Sequence, residues 1–478
     1  MLKPSICRYS CRLVGGDLRR IHATVSHSRS AAAAAAVRWL SLSANMKQEN
    51  IVQQPLSAEQ EAPALTRLEN DTGIILLNRP KKLNSLTPEM GEIVGPTLQA
   101  WERSDAVKMI MIKGSGEKAF SAGGDIKGII DKIKEGNYKE AERGFGVQYR
   151  IFHLTGTLKT PYVALLNGIT MGGGVGLSAH GPFRVATEST VFAMPETGIG
   201  LFNDAGTSFM LPRLDGQLGI YLGLTGKRIK GADVFYSGVA THYVNSHRLP
   251  ELEERLLSLE RKDHRSVNAV LEEYSVDVDR ELPNFSLGGG IRSAIDRCFK
   301  YNTVEEIVEA LENEAKERQW AEETLDMLRK ASPTSLKVTL ELLRRGARMS
   351  LGQCIQTEFK LASQFIRERE FVEGVNAVLV DRRAPKWDPP TPKDVKDDVK
   401  QKYFEKASTS SNLHLLTSSD IVQYPFSFGL PSDDQIIDAL SLNYADLNTL
   451  ARDRFKGKKG VLSKIRDVAN RINVTAAA

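Results

Sequence analysis

Short aliphatic runs alternate with amphipathic helical segments through the first half of the chain. Aliphatic residues at 65–77 predict a strand pair, and nearly unbroken apolar runs at 107–114 and 161–168 predict strands buried on both faces. Between them, residues 88–104 have apolar side chains at helical spacing, and a second amphipathic helical region extends to about residue 154. Strand, helix and strand in this repeated order predict parallel strands joined by helical crossovers.

From residue 178 onward the repeat shortens and helical patterns take over. FRVATEST at 183–190 and FAMPE at 192–196 predict two short strands, and residues 215–225 predict a helix. Charged amphipathic helices are predicted over residues 249–274 and 304–330, and a longer helical region over residues 335–367. These later segments carry no run of catalytic-type residues, so we expect them to pack around a site built by the first half.

The first 45 residues differ in composition from the rest of the chain. They hold seven Lys or Arg against Asp17 alone, with many Ser and an alanine run at 31–36. The leader thus carries +6 of charge, and the rest of the chain carries −1 of the net +5. An Arg-rich, Ser-rich, acid-poor leader that can form a basic amphipathic helix is typical of a mitochondrial presequence, and we expect cleavage near residues 39–46. A merely disordered N-terminus is the alternative, which the charge bias disfavours.

Composition excludes several classes of protein. The chain has 478 residues, of which 41% are hydrophobic, and no apolar run approaches the roughly 18 residues of a membrane span. We therefore expect no membrane partner. Cys7 and Cys11 lie in the leader, whereas Cys298 and Cys354 are far apart, so we expect no structural disulfide. The histidines show neither HExxH nor paired Cys/His spacing, so we expect no metal site.

A basic tail follows a Ser/Thr-rich segment beyond Tyr403. Between Arg452 and Arg471, eight Lys or Arg stand against two Asp. Outside the leader, this stretch is the one candidate for contact with nucleic acid or an acidic partner. A solvated charged helix is the more frequent explanation of such a run, and neither aromatic interleaving nor an RNA-binding motif accompanies it.

Two glycine-rich loops and two carboxylates are the strongest candidates for chemistry. The loop at 123–124 follows one buried strand, and the loop at 172–174 follows the next and opens a helix, where free N–H groups favour an oxyanion. Each loop alone could merely permit a tight turn, and neither matches GxGxxG or a phosphate-binding P-loop. Glu196 and Asp204 stand nearby among glycines and apolar residues at 192–211, where a carboxylate is costly unless it is paired or used.

A set of ordered motifs carries a resemblance to a known family. The motifs are RPKKLNSL, FSAGGDIK, PYVALLNGITMGGGVGLS, FRVATE, FAMPETGIGLFNDAG, LPRLDG, LGLTGKRIKGADV and FVEGVNAVLVDRRAPKWDP. Together, over about residues 65–403, they resemble the crotonase (enoyl-CoA hydratase/isomerase) superfamily, and within it the 3-hydroxyisobutyryl-CoA hydrolase branch. The resemblance implies an α/β fold in which a spiral of ββα turns is followed by a helical C-terminal region that closes the acyl-CoA pocket.

The resemblance also implies roles for individual residues. The thioester carbonyl would lie between the backbone N–H groups of Ala122 and Gly173. Glu196 would either attack the thioester to give an anhydride or activate water, and Asp204 would orient or protonate nearby groups. Asp204 could instead be a turn residue, because the sequence Asn-Asp-Ala-Gly at 203–206 is of a kind that favours turns. Coenzyme A is part of the substrate, and no cofactor is implied.

Three positions depart from the family pattern. Gly176 stands where hydratases carry a first catalytic glutamate, which favours hydrolysis over hydration. Gln148 replaces the glutamate of an E-Y pair that lines the substrate pocket, and this exchange keeps size and hydrogen bonding but removes a proton acceptor. If that carboxylate binds the substrate hydroxyl, Gln148 could still do so; if it transfers a proton, turnover would be impaired. Asn203 stands where the branch usually has proline, a change that could alter only the loop.

The sequence therefore predicts an enzyme that hydrolyses 3-hydroxyisobutyryl-CoA in valine breakdown in the mitochondrial matrix. The predicted segments are a presequence at 1–45, a linker at 46–64, a crotonase-like core at 65–300, a helical region at 301–405 and an extension at 406–478. The basic tail and Gln148 motivate an alternative, a hydrolase-like component of the mitochondrial small ribosomal subunit, as found for similar proteins in fungi. An inactive dimerising scaffold, and homo-oligomers in general, stay open.

Overall fold

The part of the chain that can be described begins after the predicted leader. The computed structural model describes residues 62–396, 399–405, 412–425, 427–442 and 444–476. The presequence predicted at 1–45 lies outside the described residues, as does nearly all of the predicted linker. No helix in the described segments is long and apolar enough to cross a membrane.

The described residues contain ten strands in two sheets. In chain order the strands are β1 (Ala64–Glu69), β2 (Thr72–Leu77), β3 (Met109–Gly114), β4 (Ala119–Ser121), β5 (Tyr162–Leu166), β6 (Ile169–Met171), β7 (Phe183–Ala186), β8 (Val191–Ala193), β9 (Ile229–Lys230) and β10 (His242–Tyr243). The larger sheet has the order β1-β2-β3-β5-β7-β10, and the smaller has the order β4-β6-β8-β9. β1 pairs with β2, and β8 with β9, in antiparallel fashion. All other neighbouring pairs are parallel, which confirms the predicted pairing.

Helices connect the strands, and every regular element of the described chain after β10 is helical. In order they are α1 (Pro88–Glu102), α2 (Ile126–Lys134), α3 (Tyr138–Thr157), α4 (Gly173–Ala179), α5 (Thr207–Met210), α6 (Leu218–Thr225), α7 (Ala232–Tyr236), α8 (Leu249–Leu257), α9 (His264–Tyr274), α10 (Val278–Glu281), α11 (Gly289–Cys298), α12 (Val304–Glu312), α13 (Arg318–Lys330), α14 (Pro333–Gly346), α15 (Leu351–Phe365), α16 (Arg369–Val375), α17 (Asp433–Leu440), α18 (Leu447–Phe455) and α19 (Val461–Ala476). A 3-10 helix, Glu196–Ile199, follows β8.

The central strands are buried on both faces, as the apolar run at 107–114 predicts. In β3, Ile110 and Ile112 belong to the main core, whereas Met109 and Met111 belong to a second, smaller core. Apolar side chains of α8 and α9 complete that second core. This position explains the charged amphipathic pattern of the two helices, because only one face of each meets the sheet.

The C-terminal extension folds back onto the core. The backbone N–H of Leu413 donates to the Gln356 side chain on α15 at 2.9 Å, and the Tyr424 hydroxyl donates to the Ala179 carbonyl at the end of α4. Further along, the Phe428 ring lies 4.7 Å from that of Phe183 in β7, between centroids. The extension therefore packs against α15, the end of α4 and β7.

Several basic residues of the tail are used for this docking. Lys458 pairs with Glu272 on α9, and Lys464 pairs with Asp215 of the loop before α6. Arg471 binds Asp433, which in turn is bound by Arg292 of α11. Four other basic residues of the tail remain exposed: Arg452, Arg454, Lys456 and Arg466. The tail is thus neither a fully solvated helix nor a uniformly free basic face.

A substitution inside α19 tests this docking. Ile465 is fully buried, whereas its neighbour Arg466 is exposed. We expect Ile465→Ala to lower the free energy of unfolding by about 2–5 kcal/mol, because it removes buried methyl groups and leaves a cavity. Arg466→Ala is the control and should leave stability nearly unchanged. Urea unfolding followed by circular dichroism measures both, and equal stabilities would mean that the tail is not docked in solution.

Candidate active site

The candidate site lies where three parallel strands end. β4, β6 and β8 are parallel neighbours, so the loops that follow them leave the sheet at the same edge. These loops carry Ala122 with the glycines at 123–124, the glycines at 172–174, and Glu196 at the first position of the 3-10 helix. α3 contributes Gln148 and Tyr149 to the same region. The structure therefore brings the predicted site residues together from four parts of the first half.

The two glycine loops meet, but the pair of free donors differs from the predicted one. The N–H of Ala122 donates to the Leu83 carbonyl at 2.9 Å and is not available to a ligand. Within the described segments, neither the Gly124 N–H nor the Gly173 N–H donates to a protein acceptor. A Cβ placed on Gly173 would lie 3.3 Å from the Gly124 nitrogen, so the two N–H groups are neighbours. The Ala122 N–H, predicted as one of the two donors, is therefore already paired, and the unpaired N–H of this loop that lies beside Gly173 is that of Gly124.

Pairing with Leu86 explains why the donor lies two residues further along. The Leu86 N–H donates to the Gly123 carbonyl, and the Asp125 N–H donates to the Leu86 carbonyl, both at 2.8 Å. This short parallel bridge uses the groups on either side of Gly124 and leaves its own N–H unpaired. The N–H of Gly173 is free for a different reason, because the first N–H groups of a helix have no partner within it.

The Glu196 carboxylate is buried against Gly172 and held by Asn203. Its Oε2 accepts a hydrogen bond from Asn203 Nδ2 at 2.9 Å. A Cβ on Gly172 would lie 2.9 Å from Glu196 Oε1, so only glycine leaves room at that position. Burial, followed by the nearby charge of Asp204, raises the pKa of Glu196 well above its usual range, although the Asn203 bond opposes the shift. A carboxylate of this kind is a strong base once it is ionised.

Asn203 is a functional candidate that the sequence interpretation missed. Its side chain is fully buried, and its backbone N–H donates to Thr339 Oγ1 at 3.3 Å. Proline, which the related branch usually has here, could make neither this bond nor the one to Glu196. The departure from the family pattern thus supplies an amide that orients the proposed catalytic carboxylate. The sequence did contain a signal, because the Asn203 amide directly precedes Asp204 in a loop of glycines and apolar residues.

Asp204 uses its backbone for a turn and its side chain for a contact with α3. Its carbonyl accepts bonds from the N–H and the hydroxyl of Thr207, which is the turn chemistry that the sequence allowed. Its Oδ2 accepts the Tyr149 hydroxyl at 2.7 Å. Burial raises the pKa of Asp204 to about 6, and the bond from Tyr149 opposes that shift. Burial and the Asp204 charge also raise the pKa of Tyr149, so the tyrosine remains a hydrogen-bond donor at neutral pH.

Gln148 lies beside the two glycine loops. Its Nε2 donates to the Gly144 carbonyl one turn earlier in α3, at 3.3 Å. Its Oε1 would lie 3.1 Å from a Cβ on Gly173 and 3.2 Å from one on Gly124. The side chain is buried and neutral, so it offers hydrogen bonding next to the paired N–H groups without adding a charge there.

Gly176 has no room for the second carboxylate of a hydratase. A Cβ at this position would lie 2.8 Å from the Ala205 Cβ and carbonyl oxygen, and 2.8 Å from Phe152 Cδ2. Any side chain here would require these neighbours to shift. The site therefore holds Glu196 and Asp204 without a partner on α4, an arrangement that suits hydrolysis better than hydration by two glutamates.

The buried acids predict a pH dependence of stability. Glu196, Asp204 and Glu358 of α15 all have raised pKa values, the last reaching about 8 through burial. Such groups keep protons in the folded state that the unfolded state has lost, so the free energy of unfolding falls as pH rises toward 8. His180 and His242 oppose this below about pH 6.5, because burial lowers the pKa of each to about 4.

The range in which the buried acids alone decide the pH dependence of stability therefore runs from about pH 6.5 to about pH 8. We expect the free energy of unfolding to fall across it by on the order of 1–2 kcal/mol. Urea unfolding at constant ionic strength at several pH values measures the slope. A free energy of unfolding that is constant or rises over this window would contradict the raised pKa values of the buried acids.

Comparison with known proteins places these features in context. Residues 72–404 match the family model described as enoyl-CoA hydratase/isomerase. The chain is 45% identical over 342 residues to the mitochondrial 3-hydroxyisobutyryl-CoA hydrolase of Homo sapiens, covering 71% of this chain and 87% of that protein. It is 44% identical over 423 residues to small ribosomal subunit protein mS47 of Neurospora crassa, covering 83% of each.

Solved structures agree with the family match. A carnitinyl-CoA dehydratase from Mycobacterium thermoresistibile superposes with a TM-score of 0.67 at 35% identity, covering 74% of this chain and 99% of that one. An enoyl-CoA hydratase from Rhodobacter sphaeroides 2.4.1 superposes with a TM-score of 0.65 at 30% identity, covering 74% of this chain and all of that one. The resemblance stated from the sequence motifs, and the α/β fold that it implied, are confirmed.

Proposed function

Because the chain belongs to the enoyl-CoA hydratase/isomerase (crotonase) family, we propose that it hydrolyses 3-hydroxyisobutyryl-CoA to 3-hydroxyisobutyrate and coenzyme A. The observation that carries the proposal is the buried Glu196, held by Asn203 beside the free N–H groups of Gly124 and Gly173. Relatives that are 44–45% identical carry the name of this hydrolase. The closed space at Gly176 supports hydrolysis over hydration.

The proposed mechanism places the thioester carbonyl oxygen between the Gly124 and Gly173 N–H groups. These donors stabilise the negative charge that develops on that oxygen when the carbonyl carbon is attacked. Glu196 either attacks that carbon, giving an anhydride that water then hydrolyses, or takes a proton from the attacking water. In both routes the carbon–sulfur bond breaks and coenzyme A leaves as a thiolate. Asp204, bonded to Tyr149, orients or protonates groups beside this centre.

A mitochondrial location is part of the proposal. The hydrolase relatives are named as mitochondrial proteins, and the leader has the composition of a presequence. We place the mature protein in the matrix, where it would act in valine breakdown. Coenzyme A enters as part of the substrate, and the proposed chemistry needs water but no further cofactor.

Thiol release from defined thioesters tests this function. We propose further that the buried Gln148 side chain, next to the Gly124 and Gly173 N–H groups, binds the substrate hydroxyl. The purified mature chain should therefore release free thiol from 3-hydroxyisobutyryl-CoA, and more slowly from isobutyryl-CoA, which lacks that hydroxyl. Circular dichroism of the same sample confirms that it is folded. A folded protein that releases no thiol from either thioester rules out the hydrolase.

A second candidate function is a structural component of the mitochondrial small ribosomal subunit. The alignment with the ribosomal relative covers 83% of this chain, against 71–78% for the animal and plant hydrolase relatives. The family model ends at residue 404, so the docked extension lies beyond what defines the enzyme family. Its exposed cations Arg452, Arg454, Lys456 and Arg466 could meet RNA or an acidic protein.

Sedimentation of mitochondrial extract separates the two candidates. A stable ribosomal component should travel with the small subunit at low salt, whereas a free enzyme should stay near the top of the gradient. Absence from the small-subunit fraction contradicts the structural role. The position of the free protein in the same gradient also shows whether it forms homo-oligomers.

A further inference from the structure

Glu358 joins α15 to the turn that carries Asp204. Its side chain is fully buried, and its Oε2 accepts the Gly206 N–H at 2.7 Å. Its Oε1 accepts both the N–H of Ser208, at 3.2 Å, and the Ser208 hydroxyl. Three donors of one short turn therefore end on one carboxylate from a helix about 150 residues further along the chain. No Lys, Arg or His pairs with Glu358 in the described residues.

The turn at 204–208, called the Asp204 turn below, has a backbone that needs such support. Ala205 has φ of 64° and Gly206 has φ of 75°, so two successive residues are left-handed. For Ala205 this conformation is strained, because its Cβ crowds the backbone. His180 Nε2 lies 3.1 Å from the Ala205 carbonyl oxygen on another side of the turn. The turn is thus held between a histidine of one segment and Glu358 of another.

From this geometry we infer that Glu358 is a positioning residue for the proposed hydrolysis. It holds the Asp204 turn in its left-handed form and thereby aims the Asp204 carboxylate at the Tyr149 hydroxyl. Among the described residues, Glu358 hydrogen-bonds to neither the glycine loops nor Glu196, so it acts through the turn and not on the substrate. The kinetic part of this role rests on the proposed function, whereas its geometric part does not.

Glu358 also affects the titratable groups around it through its charge. The groups that face it are Asp204 and Glu196, Tyr149 of α3 and Cys354 of its own helix. His180, which holds the other side of the turn, is neutral at neutral pH because burial lowers its pKa to about 4. As the pH rises through the Glu358 pKa of about 8, the ionised carboxylate adds negative charge to this cluster, which has no cation, and that charge raises the pKa of Glu196. Removing its charge should shift the pH profile of the reaction to lower pH.

Glu358→Gln tests the inference. The amide keeps the size of the side chain, but its NH₂ group must face one of the turn's N–H donors. We expect kcat for thiol release to fall by about tenfold or more with KM changed by less than about threefold, and the pH profile of kcat to shift to lower pH. A crystal structure should show the Tyr149 hydroxyl further than about 3.5 Å from Asp204 Oδ2. Glu322→Gln removes the same charge from the surface of α13 and should match wild type.

The outcomes separate this role from the proposed function. A folded Glu358→Gln protein with wild-type kcat, pH profile and Tyr149–Asp204 bond overturns the inference. If that variant does not fold, Ser208→Ala, which removes only the hydroxyl donor, should show the same changes to a smaller extent, and wild-type behaviour there overturns it. If wild type itself releases no thiol, the hydrolase proposal fails, while the Tyr149–Asp204 distance in the variant still decides the role of Glu358.

Discussion

Glu196→Gln is expected to lower kcat for thiol release from 3-hydroxyisobutyryl-CoA by roughly a thousandfold. A carboxamide can neither attack the thioester carbon nor accept a proton from water, so both proposed routes are lost. The fold should survive, because the amide has nearly the same volume and its oxygen can still accept the bond from Asn203. Stopped-flow or steady-state detection of free thiol at saturating substrate measures the loss.

Glu314→Gln is the matched control for this variant. Glu314 is also a buried glutamate, but it pairs with Arg297 at 2.7 Å in the helical region away from the glycine loops. It should keep wild-type kcat even if its stability falls. If Glu196→Gln retained more than about a tenth of wild-type kcat, Glu196 could be neither the nucleophile nor the general base.

Removing the Gly173 N–H is the second large effect that we expect. Gly173→Pro should lower kcat/KM by about 100- to 1,000-fold relative to Gly173→Ala, the cost of one oxyanion donor, or about 2.7–4 kcal/mol. Both variants add a Cβ near Gln148 Oε1, and proline in addition replaces the N–H hydrogen with a ring carbon. Gly173 is the first residue of α4, where proline is tolerated because the N–H has no helical partner.

The comparison with alanine makes this result interpretable. Both proteins are assayed for kcat/KM and for their far-ultraviolet circular dichroism, so that a loss of α4 would be seen directly. If the proline and alanine variants hydrolyse the thioester equally well, the Gly173 N–H does not bind the carbonyl oxygen. The proposed pairing with Gly124 would then be wrong, whatever the role of Glu196.

Features that depend on short-range patterns could be predicted from the sequence. The apolar run at 107–114 has few explanations other than a strand buried on both faces, and β3 occupies that position. α1 begins with Thr87 and Pro88, because the threonine side chain accepts the Met90 N–H and proline suits the first helical position. In each case the deciding feature, an apolar run for β3 and a capping hydrogen bond for α1, lies within a few residues along the chain.

Features that depend on tertiary hydrogen bonds could not be predicted in the same way. The unpaired N–H lies at Gly124 and not at Ala122 because of hydrogen bonds to a distant segment. The Leu83 carbonyl accepts the Ala122 N–H, whereas the bonds of Leu86 leave the Gly124 N–H unpaired. No spacing within the loop encodes that choice. The docking of the basic tail is similar, because Lys458 and Lys464 meet acids about 190 and 250 residues earlier in the chain.

Glu358 is an intermediate case, because a signal was present. It lies on the buried face of α15, between Cys354 and Leu361, so it interrupts an apolar stripe with a carboxylate. A buried glutamate without a cation partner is costly, which marks it as a residue to explain. Its hydrogen-bonding partner, the Asp204 turn, could be known only from the fold.

The hold of α15 on the Asp204 turn has a consequence for how the protein is made. A chain that emerges with its N-terminus first would expose Glu196, Asp204 and both glycine loops long before Glu358 and the extension exist. Pairings this remote in sequence form slowly, because a long loop must close before they contribute. During synthesis or threading into an organelle, the nascent protein would thus carry its reactive groups without their support. The Asp204 turn would therefore gain its support from Glu358 only after α15 has been made and has docked.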